Sequence, residues 1–149
     1  MYTHIVGDIF TTSLPAIAHG VNTKGLMGAG IARLIAERYP EVVKPYKQAC
    51  QDGSLLPGGF LYTPTLTPGF GIMNLASQNN PGKDARMEWL ESSLWEAVRF
   101  AEETEMPGFA IPRIGAGIGG LEWVDVQELI RNVGDQTPLL VENWSLPDA

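Results

Sequence analysis

One cysteine, Cys50, is all the chain contains, so an internal disulfide is excluded. That usage suits a reducing cytoplasm, with Cys50 an inert thiol. Long apolar runs are missing too, which leaves no candidate transmembrane span. The opening MYTHIVGD has neither the basic region nor the apolar stretch of a signal peptide and reads as a first strand. Basic residues are scarce, 10 against 17 acidic, for a net charge of −7, and they form no run. This argues against broad, charge-driven binding of nucleic acid, though not against a small anion held by backbone N–H groups. Repeats, low-complexity segments and linkers are also absent. At 149 residues the chain is expected to be one domain, 1–149.

What the chain does have is an ordinary globular mix, 44% apolar and 18% charged, punctuated by strand and helix signals. His4 to Val6, Ala16 to Val21, Gly59 to Thr63, Gly71 to Leu75, Phe109 to Pro112 and Leu139 to Glu142 read as strands. Helices are expected over Gly28 to Glu37, Glu41 to Ala49, Asp84 to Glu103 and Trp123 to Asn132. In the longest, Met87, Leu90, Leu94, Val98 and Ala101 mark the buried face. This alternation predicts an α/β layered sheet covered on both faces, with ligands beyond the carboxyl ends of the strands.

Three loops there carry chemistry. Asn22 to Gly30 (NTKGLMGAG) and Arg113 to Leu121 (RIGAGIGGL) are both glycine-rich and both run from a strand into a helix. One such loop can hold a phosphate; two suggest a clamp on a diphosphate. Neither carries the lysine that follows the glycines of a P-loop, and a diphosphate that is not transferred needs none, nor a magnesium site. The third loop, Gln78 to Lys83 (QNNPGK), brings two side-chain amides and a lysine to a strand end. A dinucleotide-binding Rossmann unit would need its glycines after the first strand, where this chain has GDIF.

GDIF at Gly7 to Phe10, AHGVNTKGLMGAGIA at Ala18 to Ala32, MNLASQ at Met73 to Gln78 and IPRIGAGIGGLEW at Ile111 to Trp123 together resemble a macrodomain, the ADP-ribose-binding module. The resemblance is to the branch with the terminal ADP-ribose glycohydrolase and the antitoxins that remove ADP-ribose from DNA bases. It implies a three-layer α/β/α sandwich around a mixed sheet of about six strands. It further implies that Asp8, beside the backbone of Ile9, accepts from the adenine amine. Gly28, Ala29, Gly30 and Ile31 would line the diphosphate from one side, and Arg113, Gly115, Ala116, Gly117, Ile118 and Gly119 from the other, with Asn22 at the distal ribose. Lys83 would be the catalytic nucleophile of a hydrolase acting on an ADP-ribosylated nucleic acid base or protein carboxylate. A reader without turnover and an ADP-ribose 1″-phosphate phosphatase are the alternatives. The expected partner is ADP-ribose or ADP-ribosylated DNA, RNA or protein, with no cofactor, metal or membrane. One departure stands out: the eukaryotic glycohydrolase has an acid where this chain has Gly119. Glu122 and Asp125, close by, read equally as first-turn helix acids, and Arg86 as a solvent-facing residue or a cationic neighbour of Lys83. His19 reads as a core residue and Trp89, Trp95 and Trp123 as packing groups. Phe10 and Phe60 have no assignable role, and an aromatic partner for adenine is sought near Asn143 and Trp144.

Overall fold

A computed structural model describes residues 1–147. Among them, six strands and four α-helices follow one another as β1 (Tyr2–Val6), β2 (Ala16–Gly20), α1 (Gly30–Arg38), α2 (Val43–Gln51), β3 (Phe60–Pro64), β4 (Gly71–Leu75), α3 (Met87–Glu103), β5 (Gly108–Ile111), α4 (Trp123–Gly134) and β6 (Leu140–Ser145). The strands form one mixed sheet in the order β1-β6-β5-β2-β4-β3. All pairs are parallel except β3 with β4.

Helices on both faces explain why β4 is buried along its whole length and β2 along all but its last residue. On one face, Ala16, Ala18, Met73 and Phe109 pack against Leu90, Leu94 and Val98 of α3 and Val126 and Ile130 of α4. On the other, Ile17, Ile72 and Ala110 meet Ile35 of α1 and Tyr46 and Ala49 of α2. The stripe expected on the long helix is therefore its buried face. Each fully buried Leu contributes about 2 kcal/mol by leaving water. The result is the three-layer α/β/α sandwich.

Several boundaries differ from the sequence reading, and three of the differences are instructive. The long helix starts at Met87 rather than Asp84, because the Asp84 carboxylate accepts the backbone N–H groups of Asn79 and Asn80 at 3.1 and 2.7 Å. That keeps residues 84–86 in the loop. The helix placed at Glu41 to Ala49 is a 3-10 turn at Pro40–Val42 followed by α2. The last strand runs on to Ser145, since Asn143, Trp144 and Ser145 pair with His4, Ile5 and Val6. Polar Asn143 disguised this: it is buried, and its amide donates to the carbonyls of Ile111 and Pro112.

His19 is a core residue. Its Nε2 lies 2.9 Å from Asn74 Oδ1, while the Asn74 amide donates to Leu61 O and Thr63 Oγ1. Asn74 Oδ1 must therefore accept, so His19 carries its hydrogen on Nε2.

Candidate functional site

The five parallel strands end at one edge of the sheet, and each end runs into a segment lining a single cleft of about 1050 Å³. That is at the upper end for small-molecule sites. Strand order sets the order along the cleft. Gly7 to Phe10 follow β1, with Trp144 and Ser145 of β6 beside them; the loop from Pro112 follows β5, the loop from Gly20 follows β2, and Ser77 and Gln78 follow β4. Four inter-strand steps of about 4.8 Å make a track of about 19 Å. Its walls are largely apolar, and their charged residues are Asp8, Arg38 and Arg113.

The two glycine loops leave neighbouring strands, β5 and β2, and so flank the same middle stretch. They meet there: a Cβ added to Gly30 would lie 3.4 Å from Ile118 Cδ1. Gly30 opens α1 at φ +60° and Gly117 turns its loop at φ +63°, conformations that only glycine adopts freely. Ala29, at the N-cap, makes no side-chain cap bond, so the first N–H groups of α1 remain available to an anion. Gly28, Ala29, Gly30 and Ile31 line one side of the cleft; Arg113, Gly115, Ala116, Ile118 and Gly119 line the other. Gly117, at the exposed tip of its loop, is outside the lining set.

All three loops are braced against one another. Asn22 lines the cleft, but its side chain is mostly committed to the first loop: Oδ1 accepts from Lys24 N, Leu26 N and the Tyr46 hydroxyl, and Nδ2 donates to Leu26 O. One amide hydrogen is left for a ligand. Thr23 binds Asn79 through backbone and side chain, tying the first loop to the third. Ala85 N donates to Gly119 O, tying the third to the second.

At the β1 end, Asp8 is exposed, and its Oδ1 accepts from Phe10 N at 3.0 Å, capping a 3-10 turn. Ile9 is buried behind it. The turn-capping and ligand readings of Asp8 are thus compatible, since the other oxygen has no partner among the described residues. Two aromatic rings line this end. Phe10 has the Arg38 guanidinium 4.3 Å from its centroid, and the Trp144 indole donates to Glu142. Of the pair suspected from sequence, Trp144 is in the cleft and Asn143 is beneath it. Arg113 is held between Ser145 Oγ at 3.3 Å and the Trp123 ring at 4.7 Å.

At the β4 end, Gln78, Pro81 and Gly82 line the cleft, but Lys83 does not. It is exposed, its stem lying where a side chain on Gly120 would meet it at 3.2 Å. Arg86 faces away, toward Asp84 at 3.9 Å and the Trp89 ring at 5.0 Å. Glu122 and Asp125 are exposed at the start of α4, outside the cleft. Among the described residues no carboxylate therefore lines this end. Among the described residues no group of His, Cys, Asp and Glu could hold a metal, and no helix is long and apolar enough to cross a membrane.

Sequence reasoning missed Arg38 and Ser77. Arg38 sits at the far end of α1 from the glycines, where no spacing signal points. Ser77 lies within MNLASQ, where nothing in the sequence marks it out; its hydroxyl is buried in the cleft wall with no hydrogen-bond partner among the described residues.

Residues 18–130 match the Macro domain family model. The DNA ADP-ribosyl glycohydrolase of Mycobacterium tuberculosis is 29% identical over 140 residues, covering 93% of this chain and 40% of that protein. The protein of the same name from Thermus aquaticus is 31% identical over 134 residues, covering 88% and 37%. The solved macrodomain of Mycobacterium tuberculosis DarG superposes with a TM-score of 0.89 at 27% identity, over 97% of each chain. This chain spans well under half the length of those two relatives.

Proposed function

The chain belongs to the Macro domain family, and from that premise we propose that it binds ADP-ribose along the cleft and hydrolyses it from an ADP-ribosylated DNA base. The observation that carries the binding half is the close approach of the two glycine loops at Gly30 and Ile118, on either side of one stretch of cleft. Together they offer backbone N–H donors to both sides of a diphosphate. The adenine then lies at the β1 end, its exocyclic amine donating to the unpartnered Asp8 oxygen, with Phe10 and Trp144 at its faces. The distal ribose extends past Asn22 toward the third loop. DNA is favoured over a protein carboxylate by the relatives named DNA ADP-ribosyl glycohydrolase.

Lys83 is the nucleophile in this reading. An amine attacks only when neutral, and because Lys83 is exposed, the bound substrate supplies the desolvation. Its nitrogen bonds to the anomeric carbon, the bond from that carbon to the base breaks, and the proton released by the amine goes to the departing base. Water then cleaves the lysine–sugar bond, giving ADP-ribose and the free amine. A reader without turnover has one observation in its favour: the sole carboxylate lining the cleft among the described residues, Asp8, is at the opposite end from Lys83.

The test offers the protein ADP-ribosylated single-stranded DNA, glutamate-linked ADP-ribosylated protein and ADP-ribose 1″-phosphate, with products read by mass spectrometry. Release of ADP-ribose from the DNA is expected. Release from none, beside tight binding of ADP-ribose, would make the domain a reader.

A further inference from the structure

The charge of −7 is unevenly spread. Residues 84–149, which include α3 and α4, carry thirteen acidic and four basic residues, all four of them arginines. Residues 21–51, which hold the first glycine loop, α1 and α2, carry two acidic and five basic. The chain has four lysines, Lys24, Lys44, Lys47 and Lys83, and none lies after residue 83. All four are exposed, and among the described residues none pairs with a carboxylate within 4.0 Å.

Their positions are related. Lys44 and Lys47 share α2 with Val43, Gln48 and Gln51, and these line, with Pro40 of the preceding 3-10 turn, a shallow groove of about 510 Å³. Lys47 packs beside the first glycine loop, its Cγ 3.5 Å from where a Cβ on Gly25 would sit. Lys24 is in that loop, next to Thr23, which holds the third loop through Asn79. Lys83 closes the third loop. The lysine-bearing segments thus follow one another in contact, from the α2 groove through the first glycine loop to the third loop, at the end of the cleft where the proposed function puts the distal ribose.

We infer that this lysine path on α2 and the first glycine loop is the docking surface for the single DNA strand that carries the ADP-ribose. The inference rests on the proposed function. Ammonium groups are compact point charges suited to successive phosphodiesters, and the groove's two amides can meet sugar and base edges. The acidic α3/α4 layer on the opposite side of the sheet repels the strand and orients it. Net charge conceals the surface because it sums over both layers.

The test measures kcat/KM for release from an ADP-ribosylated single-stranded oligonucleotide and from an ADP-ribosylated mononucleoside, across salt concentrations. Each single-strand phosphate contact contributes about 0.7 to the salt slope, so Lys44→Gln/Lys47→Gln should flatten the slope by about 1.4. At 0.1 M salt that is a loss of about 25-fold on the oligonucleotide, with the mononucleoside and calorimetric affinity for ADP-ribose unchanged. The control Arg99→Gln/Arg131→Gln removes the same charge from the acidic layer and should keep its rate on both. An unchanged rate on the oligonucleotide, an equal loss on the mononucleoside, or an equal loss in the control would each overturn the inference. If wild type releases ADP-ribose from neither substrate, the proposed function fails, and the surface is judged by anisotropy with the unmodified strand. There the lysine pair should still weaken binding about 25-fold; unchanged binding would overturn the surface as well.

Discussion

The proposed binding mode gives the two carboxylate oxygens of Asp8 separate jobs, and one substitution can separate them. Oδ1 accepts the Phe10 N–H at 3.0 Å and holds the turn after β1; in the proposed binding mode the other oxygen accepts from the adenine amine. Asp8→Asn keeps an oxygen for the turn, so thermal stability should stay within about 0.5 kcal/mol, or 1–2 °C for a domain of this size. The position facing the adenine amine then becomes an NH2 group, and donor meets donor. Losing a hydrogen bond to a charged acceptor costs about 1.5–3 kcal/mol, which lowers ADP-ribose affinity about 10- to 140-fold. The same NH2 group suits a guanine carbonyl, so preference for ADP-ribose over GDP-ribose should narrow. Asp8→Ala removes both oxygens and should lose stability as well, by about 0.5–2 kcal/mol, as helix caps do. Calorimetry with both nucleotides beside thermal melts reads all of this. Asp8→Asn binding ADP-ribose within twofold of wild type would refute the base-recognition role and leave Asp8 a turn cap.

Gly117 is at φ +63° with open space around it, so Gly117→Ala should strain the backbone by about 1 kcal/mol and leave binding largely intact. Ala116→Glu instead puts a negative charge into the cleft lining beside the proposed diphosphate track and should abolish ADP-ribose binding; unchanged affinity by calorimetry would sink the clamp. Burial holds the pKa of His19 down, from 6.5 to about 4, with the Asn74 hydrogen bond opposing. The unfolded chain takes up this proton below pH 6.5 and the folded one does not until about pH 4. Stability is therefore full above pH 6.5 and falls as pH drops through that window, with His19 accounting for about 3 kcal/mol. His19→Gln should flatten the pH dependence of Tm between pH 7 and pH 4.5; equal slopes would place the titration elsewhere.

The sandwich was legible because its signals are local and redundant. AIAHG and GIMNL are apolar on both faces, as only a covered central strand can be, and α3 repeats its apolar positions over nearly five turns. The glycine loops were legible because glycine in a strand-to-helix turn has few other uses. What stayed hidden was what only topology supplies. That β5 and β2 are neighbours, so that the two loops share one stretch of cleft, is absent from any local pattern. Arg38 comes under Phe10 because α1 packs back toward the end of β1. The strand through Asn143 was cut short because its polar side chains bond to neighbouring strands, not to water. Lys83 was singled out by resemblance alone, and its place beside Gly120, just outside the cleft wall, could not be read from spacing.

The most direct test of that lysine is a comparison of wild type with Lys83→Ala, each incubated with ADP-ribosylated single-stranded DNA and followed by mass spectrometry, with ADP-ribose affinity measured in parallel. Release by wild type, lost in the variant while both bind ADP-ribose equally, is the expected result, because Lys83 lies outside the cleft lining. Equal release by both proteins would contradict the lysine mechanism, and release by neither, with binding intact, would contradict hydrolysis itself.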